Sequence, residues 1–419
     1  MIEKTLFRST LALGSLALTA GNDLYAQQAV QSLDGARQRV TARQSKEKDA
    51  PGGDNFQLGG LKIDVGGSLA WTYNDNIDFA ETTGQSDHIV RPGITLSGSM
   101  PLTERNSLNL SLDVGYNAYL DNSALNFLDI RAGNSSEIAV DFFIGEDWTV
   151  TIFDRPSLSQ DAIDSPQISG VADFGRFENT VGIVGFKELA NFDLTLGYEH
   201  YNYWALPTAQ RNLDRQSEIG YVSVGLTPSD AWRWSLNASG SIDNFRQNNL
   251  NDAVQFSIGP AVKWQVSEFI SADAAVGYTR RDSESGGTVG DLEDASAPFA
   301  MFGLNHRVNE RLSHRFTFTE SITPGTASNF IQTTALNETI SLALSEKLNV
   351  NVPLGVQFGE ESGGGQDFNR YQVGVNFGYK LGQKATARFS YDWLKKDAKN
   401  VVGLDYTQNR VMFSLNYDF

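Results

Sequence analysis

The last nine residues, "VMFSLNYDF" (Val411–Phe419), set the reading of the whole chain. Counted back from the end, Phe419, Tyr417, Leu415, Phe413 and Val411 are apolar. Asp418, Asn416 and Ser414 between them are polar, and Met412 alone breaks the alternation. A period of two puts the two sets on opposite faces of a strand. Chain ends are usually polar and frayed. This one is a strand with one greasy face and an aromatic terminus.

The same period runs back to Leu61. In "LKIDVGGSLAWTY" (61–73), Leu61, Ile63, Val65, Leu69, Trp71 and Tyr73 share a face opposite Lys62, Asp64, Ser68 and Thr72. "SLNLSLDVGYNAYL" (107–120), "KLNVNVPLGVQF" (347–358) and "RYQVGVNFGYK" (370–380) alternate in the same way. Such strands meet two environments, either a core and water or lipid and a lumen.

Connection lengths separate these cases. Short links fall near Thr103, Gly145, Lys187, Thr227, Val266, Asn309, Ser345 and Gly382. Between them come long polar stretches, among them "NDNIDFAETTGQSD", "DNSALNFLDIRAGN", "RPSLSQDAIDSPQISGVADFG", "RDSESGGTVGDLEDAS" and "GEESGGGQD". A sandwich has no reason to sort loops by parity, whereas a membrane barrel has short periplasmic turns and long extracellular loops. The expectation is an all-β fold: a transmembrane antiparallel up-and-down β-barrel of about 18 strands. Trp148, Trp232, Trp234 and Trp264 fall near short turns, and Trp71 and Trp393 near long loops, the pattern of an aromatic girdle at two water–lipid boundaries.

The terminal strand must then pair with the first, because an open edge in lipid leaves backbone groups unsatisfied. Val411, Phe413, Leu415, Tyr417 and Phe419 also resemble the carboxy-terminal signal of bacterial outer-membrane proteins. That resemblance implies the barrel assembly machinery as a partner.

Composition agrees. The chain has 419 residues, no cysteine and a formal net charge of −17, which excludes thiol chemistry and argues against nucleic acid. Residues 1–26 read as a signal peptide, with Lys4 and Arg8 ahead of an apolar run over 10–20 and Ala26 at the cut. Residues 27–60 read as a polar periplasmic extension, and 61–419 as the barrel in a bacterial outer membrane, in contact with lipid and lipopolysaccharide.

Catalytic and metal signals are weak. His88 and His200 lie near outer loops on different hairpins, His306 and His314 flank a short turn, and adjacent Ser313 and His314 point to opposite faces of a strand. The acidic loops lack the spaced oxygen frame of a calcium site and read as solvated surface. No cofactor is implied, and the chain reads as a non-enzyme. With apolar residues outward, the inner face receives the cations Lys62, Arg91, Arg233, Lys263, Arg315, Lys380, Arg388 and Arg410. It also receives the acids Asp64, Asp113, Asp141, Asp193, Glu199, Asp243, Asp273 and Asp392. A barrel of this strand number is wide enough for water, and the loop from Arg155 to Gly175 is the candidate constriction or plug.

"TYNDNI" (72–77), "ITLSGSMPLTERNSLNLSLDVGYNAYL" (94–120) and "FENTVGIVGFKELANFDLTLGYEHYNYWAL" (177–206) resemble the putative beta-barrel porin 2 family, over most of 61–419. The resemblance implies an outer-membrane barrel whose relatives accompany exopolysaccharide systems, and it carries over no catalytic residue. The expected function is a porin-like channel for passive diffusion of small hydrophilic solutes through a polar, mixed-charge lumen. The alternatives are exopolysaccharide export and a structural or adhesive surface barrel. Oligomeric state is open at this stage.

Overall fold

Alternation makes these segments strands because each residue's backbone pairs sideways while its side chain commits to one face. A computed structural model describes residues 56–145, 147–163 and 165–419. The expected signal peptide, and the expected extension as far as residue 55, lie outside the described residues.

All strand segments belong to one sheet of antiparallel neighbours. In chain order the wall strands are β1 (Leu61–Asn74), β2 (Asp87–Thr103), β3 (Asn106–Tyr119), β4 (Phe127–Ile130 and Glu137–Ile144), β5 (Trp148–Ser159) and β6 (Arg176–Leu189). They continue as β7 (Phe192–Ala205), β8 (Arg215–Ser229), β9 (Trp232–Phe245), β10 (Ala253–Gln265), β11 (Ile270–Ser283) and β12 (Ala295–Arg307). The last six are β13 (Leu312–Thr323), β14 (Ile331–Ala343), β15 (Leu348–Glu361), β16 (Asp367–Lys380), β17 (Ala385–Ala398) and β18 (Tyr406–Asp418). Each pairs with its neighbours in sequence, and β18 also pairs with β1, so that the eighteen strands close. At the seam Trp71 lies opposite Phe413 and Leu69 opposite Leu415, and the Phe419 N–H donates to the Val65 carbonyl at 3.0 Å.

The connections sort by end. At one end 104–105, 145–147, 190–191, 230–231, 266–269, 308–311, 344–347 and 381–384 are two to four residues long. Side chains close several of these turns. Asn309 Oδ1 accepts from the N–H groups of Arg311 and Leu312, and Ser345 Oγ from those of Lys347 and Leu348. At the other end the links 75–86, 120–126, 160–175, 206–214, 246–252, 284–294, 324–330, 362–366 and 399–405 run from five to sixteen residues.

Three local expectations change. "FLDI" (127–130) reads as loop, yet it pairs with β3 through Phe127–Asn117 and Ile130–Val114 and supplies the far half of β4. Residues 131–136 bulge out between the two halves, which breaks the alternation that sequence reading follows. Arg155 to Ser159 also belong to the wall, paired with Thr180 to Arg176. Pro156 and the polar outward residue Asp154 disguise that strand. Finally, Phe56–Leu58, within the expected polar extension, folds back on Leu61–Ile63 through Gly59, whose φ of 63° suits a residue without a Cβ.

The outward face is apolar, and the buried apolar cluster lies inside the long-loop half. There Phe153, Val184, Tyr201, Ile219 and Tyr221 from the wall meet Phe79, Ile163, Phe174 and Leu250 from the loops. Gly197 admits the Tyr221 ring: a Cβ there would lie 2.1 Å from it. Gly197→Val should therefore lower stability by about 1–3 kcal/mol by displacing that ring, read as a lower temperature for loss of the folded band on unheated gels. Gly220→Ala, where a Cβ meets nothing within 4 Å, should stay within about 0.5 kcal/mol of wild type.

Candidate functional site

Directly opposed residues in an antiparallel pair share a face, so the ladder assigns every side chain. Ala70 faces Arg91, Thr95 faces Asp113, and Ser107 faces Asp141. Continued round the wall, the pairing puts all sixteen charged residues singled out above on one face, opposite the exposed apolar residues. The ladder brings several of them together. Arg91 Nη2 reaches Asp113 Oδ1 at 3.0 Å and Asp129 Oδ2 at 2.7 Å. Arg233 grips Asp193 with two hydrogen bonds of 2.9 and 2.5 Å. Asp141 accepts from Thr151 Oγ1 at 2.5 Å, and Glu199 from the Tyr221 hydroxyl at 3.0 Å. Asp243 accepts from Ser217 and, at 2.6 Å, from Arg281, a pair with no exposed surface. Lys263 lies opposite Asp273, and Asp392 opposite Arg410. Lys62, Asp64, Arg315 and Lys380 stay exposed toward the short-turn end. Arg388 and Arg315 make no ion pair among the described residues.

The loop 160–175 leaves the wall between β5 and β6 and is fastened on β16–β18, beyond β1–β4. Arg410 Nη1 reaches Asp161 Oδ2 at 3.1 Å, and Arg370 Nη2 donates to the Ile163 carbonyl at 2.5 Å. Gln366 donates to the Gln167 carbonyl at 2.8 Å. Lys396 Nζ, fully buried, donates to Ser169 Oγ at 3.0 Å and Gln366 Oε1 at 2.7 Å. Loop 75–86 joins where the Gly170 N–H meets the Phe79 carbonyl at 3.0 Å. The strap thus crosses the inside of the barrel from wall to wall. Beside it a cavity of about 380 Å³ opens among Asp75, Asn76, Glu81, Lys396, Asp405 and Tyr406.

A second knot overturns the expectation that the acidic loops are solvated. Asp291 of "GDLEDAS" is buried. Its carboxylate accepts from the Asn329 N–H at 2.8 Å, the Ser362 hydroxyl at 2.6 Å and the Glu293 N–H at 2.9 Å. Its carbonyl accepts from Asn251 Nδ2 at 2.8 Å. One side chain and its backbone so tie loops 246–252, 284–294, 324–330 and 362–366. Polar composition reads as solvent exposure only where nothing lies opposite, and here four loops converge. Sequence reading missed Asp161, Ser169, Arg370 and Lys396 for the same reason: their partners are hundreds of residues away. The inward parity of Arg370 and Lys396 was the one signal available.

The six tryptophans of the expected girdle face outward. Trp232 stacks on Trp264 at 4.7 Å and on Trp234 at 5.7 Å near the short turns, and Lys187 caps the Trp148 ring. Trp71 and Trp393 lie in the long-loop halves of β1 and β17, and Trp71 stacks on His88. Trp204, not singled out above, stacks on Phe177 at 5.4 Å near the same rim. Val411, Phe413, Leu415, Tyr417 and Phe419 share the outward face of β18. Ser313 and His314 take opposite faces, and no cluster of three or more potential metal ligands occurs among the described residues.

The sequence model of the family described as Putative beta-barrel porin 2 matches residues 56–419. The chain belongs to that family. No curated protein matches it. Among solved structures it is similar in fold to Pseudomonas aeruginosa OccK2 (OpdF) in complex with glucuronate, at 11% identity and a TM-score of 0.51 over 86% of this chain and 99% of that one. It is likewise similar to a BenF-like porin from Pseudomonas fluorescens Pf-5, at 10% identity and a TM-score of 0.51 over 86% and 100%. A third is Pseudomonas aeruginosa OpdK with vanillate, at 11% identity and a TM-score of 0.50 over 85% and 99%.

Removing the Asp291 carboxylate should free the loops it joins. Asp291→Ala leaves the buried Asn329 N–H unmatched, removes the Ser362 and Glu293 contacts and should cost about 3 kcal/mol. The check is limited proteolysis, with new cuts expected in 284–294 and 324–330 while the strand core survives.

Proposed function

We propose that this family member is an outer-membrane channel through which small hydrophilic solutes diffuse passively. The observation that carries the reading is the pairing of a closed eighteen-strand wall with a charged inner face crossed by one strap. The outward apolar face and its two levels of tryptophan suit a bilayer, with the short turns periplasmic and the long loops at the lipopolysaccharide surface. Residues 1–26 would direct export and be removed, 27–55 would lie in the periplasm, and the terminal strand would be read by the assembly machinery.

The strap sets the size of what passes, and the wall charges set its sign. Ion pairs with arginine cancel much of the field of Asp113, Asp129, Asp193 and Asp243. Arg388 and Arg315 keep their charge toward the lumen. This bias favours anionic solutes, small carboxylates first. Two proteins of similar fold were solved with carboxylates, glucuronate and vanillate, which supports the same class. Export of a polysaccharide through this lumen would need the strap to leave the far wall, so the small-solute reading is preferred. Among the described residues no side-chain constellation calls for catalysis.

Planar-bilayer recording of residues 27–419 tests the reading. Steady single-channel steps with an anion-favouring reversal potential are expected. Arg388→Glu should move that potential toward cations, and deleting 162–169 should raise conductance by about twofold or more. A folded barrel that stays silent both with and without the strap would rule out the channel. Wild-type solute uptake alongside lost polysaccharide output in a deletion strain would favour the exporter instead.

A further inference from the structure

Arginine takes a carboxylate well through the edge formed by Nε and Nη2, which offers two parallel N–H groups to its two oxygens. The inner wall uses that edge repeatedly. Asp129 fills it on Arg91, at 2.8 Å from Nε and 2.7 Å from Nη2. Asp193 fills it on Arg233, and Glu137 takes Nε of Arg155 at 2.6 Å. On Arg281 of β11 the edge is open. Nη1 holds Asp243 and, at 3.3 Å, the side-chain oxygen of Gln255. Nε and Nη2 have no partner among the described residues, although the side chain has no exposed surface.

The wall beside it supplies no acceptor. Apart from Gln255, the inward neighbours are Thr279, Ser283, Ala253, Ser257, Ala295 and Ala297. The hydroxyls of Ser257 and Thr279 are already bonded to each other at 2.8 Å. Gln255 has turned its oxygen to Nη1, and its amide nitrogen, also buried, is a third donor without a partner. Three buried nitrogens that can only donate are costly to leave unmatched. Water would bring two donors of its own. A carboxylate brings acceptors alone, two of them at the spacing of the edge. A dry arginine between two acids already occurs in this wall, where Arg91 holds both Asp113 and Asp129.

The position is closed. Loops 246–252 and 284–294 connect the strands of this wall, and they are laced together. The Thr288 and Val289 N–H groups donate to the carbonyls of Asn248 and Asn249 at 2.9 Å. Leu250 and Val289 turn inward to the cluster of Ile219 and Tyr221. A solute in the lumen does not reach the edge past this cover, so whatever fills it is resident.

We propose that Arg281 is a closed binding site for a small carboxylate, which lies bidentate on the Nε–Nη2 edge and does as a free ligand what Asp129 and Asp193 do from the wall. The inference does not rest on conduction.

Refolding tests it. Residues 27–419 are unfolded in urea, which releases any resident acid, and refolded in sodium chloride or in sodium formate of equal ionic strength. The formate-refolded protein should lose its folded band on unheated gels at a temperature higher by about 2 °C or more. Gln255→Glu puts a carboxylate beside the edge from the wall itself and should abolish that difference. Arg281→Met combined with Asp243→Asn removes both charges of the pair and should abolish it too, and either variant decides if the other folds poorly. Equal temperatures for the unaltered chain in the two salts mean that water or chloride fills the edge and overturn the site. A difference that persists in the variants is a general salt effect and overturns it as well.

Discussion

The hydrogen-bonded closure between β18 and β1 is the constraint on which everything else rests. Without it two edges of backbone N–H and C=O groups would face apolar surroundings with no partner. With it the register is locked all the way round, because parity passes from strand to strand without a free choice. Leu415 opposite Leu69 makes Arg91 an inward residue, and Arg91 in turn makes Asp113 one. A slip of one residue would send those charges into the apolar layer and bring Trp71 and Phe413 inside.

Closure also creates the problem that the loops solve. A ring this wide has no solid core, so its stability comes from wall pairing and from whatever fills it. In the long-loop half the wall turns apolar groups inward, Phe153, Tyr201, Ile219 and Tyr221 among them, and the loops descend onto them with Phe79, Ile163 and Leu250. Descending backbone needs partners, since a buried carbonyl left alone is costly. Arg370 and Gln366 supply donors to the strap, and Lys396 holds both the strap and Gln366. The strap and the Asp291 knot meet at loop 362–366, which supplies both Ser362 and Gln366. Movement of one is therefore coupled to the other by chain connectivity.

The inner charges acquire their meaning from this packing. An Arg–Asp pair that is fully dry, as at Arg281 and Asp243, organises the wall and has no field to offer a solute. An arginine left in water, as at Arg315, has one.

Period-two alternation and loop parity by themselves pointed to the barrel, a count of about 18 strands and the shared face of the sixteen charged residues named above, because in a strand the neighbouring position dictates the face. The terminal strand was legible down to Val411 and Phe419 for that reason. The broken stretches were not: "FLDI" and Arg155–Ser159 lose their alternation to a bulge and a proline, and only pairing with β3 and β6 reveals them as wall. Tertiary structure alone decided which charges are spent on one another, where the strap lands and which acids are dry. Asp161 and Arg410, or Asp291 and Ser362, meet through folded space, and no local spacing in the chain encodes such a distance.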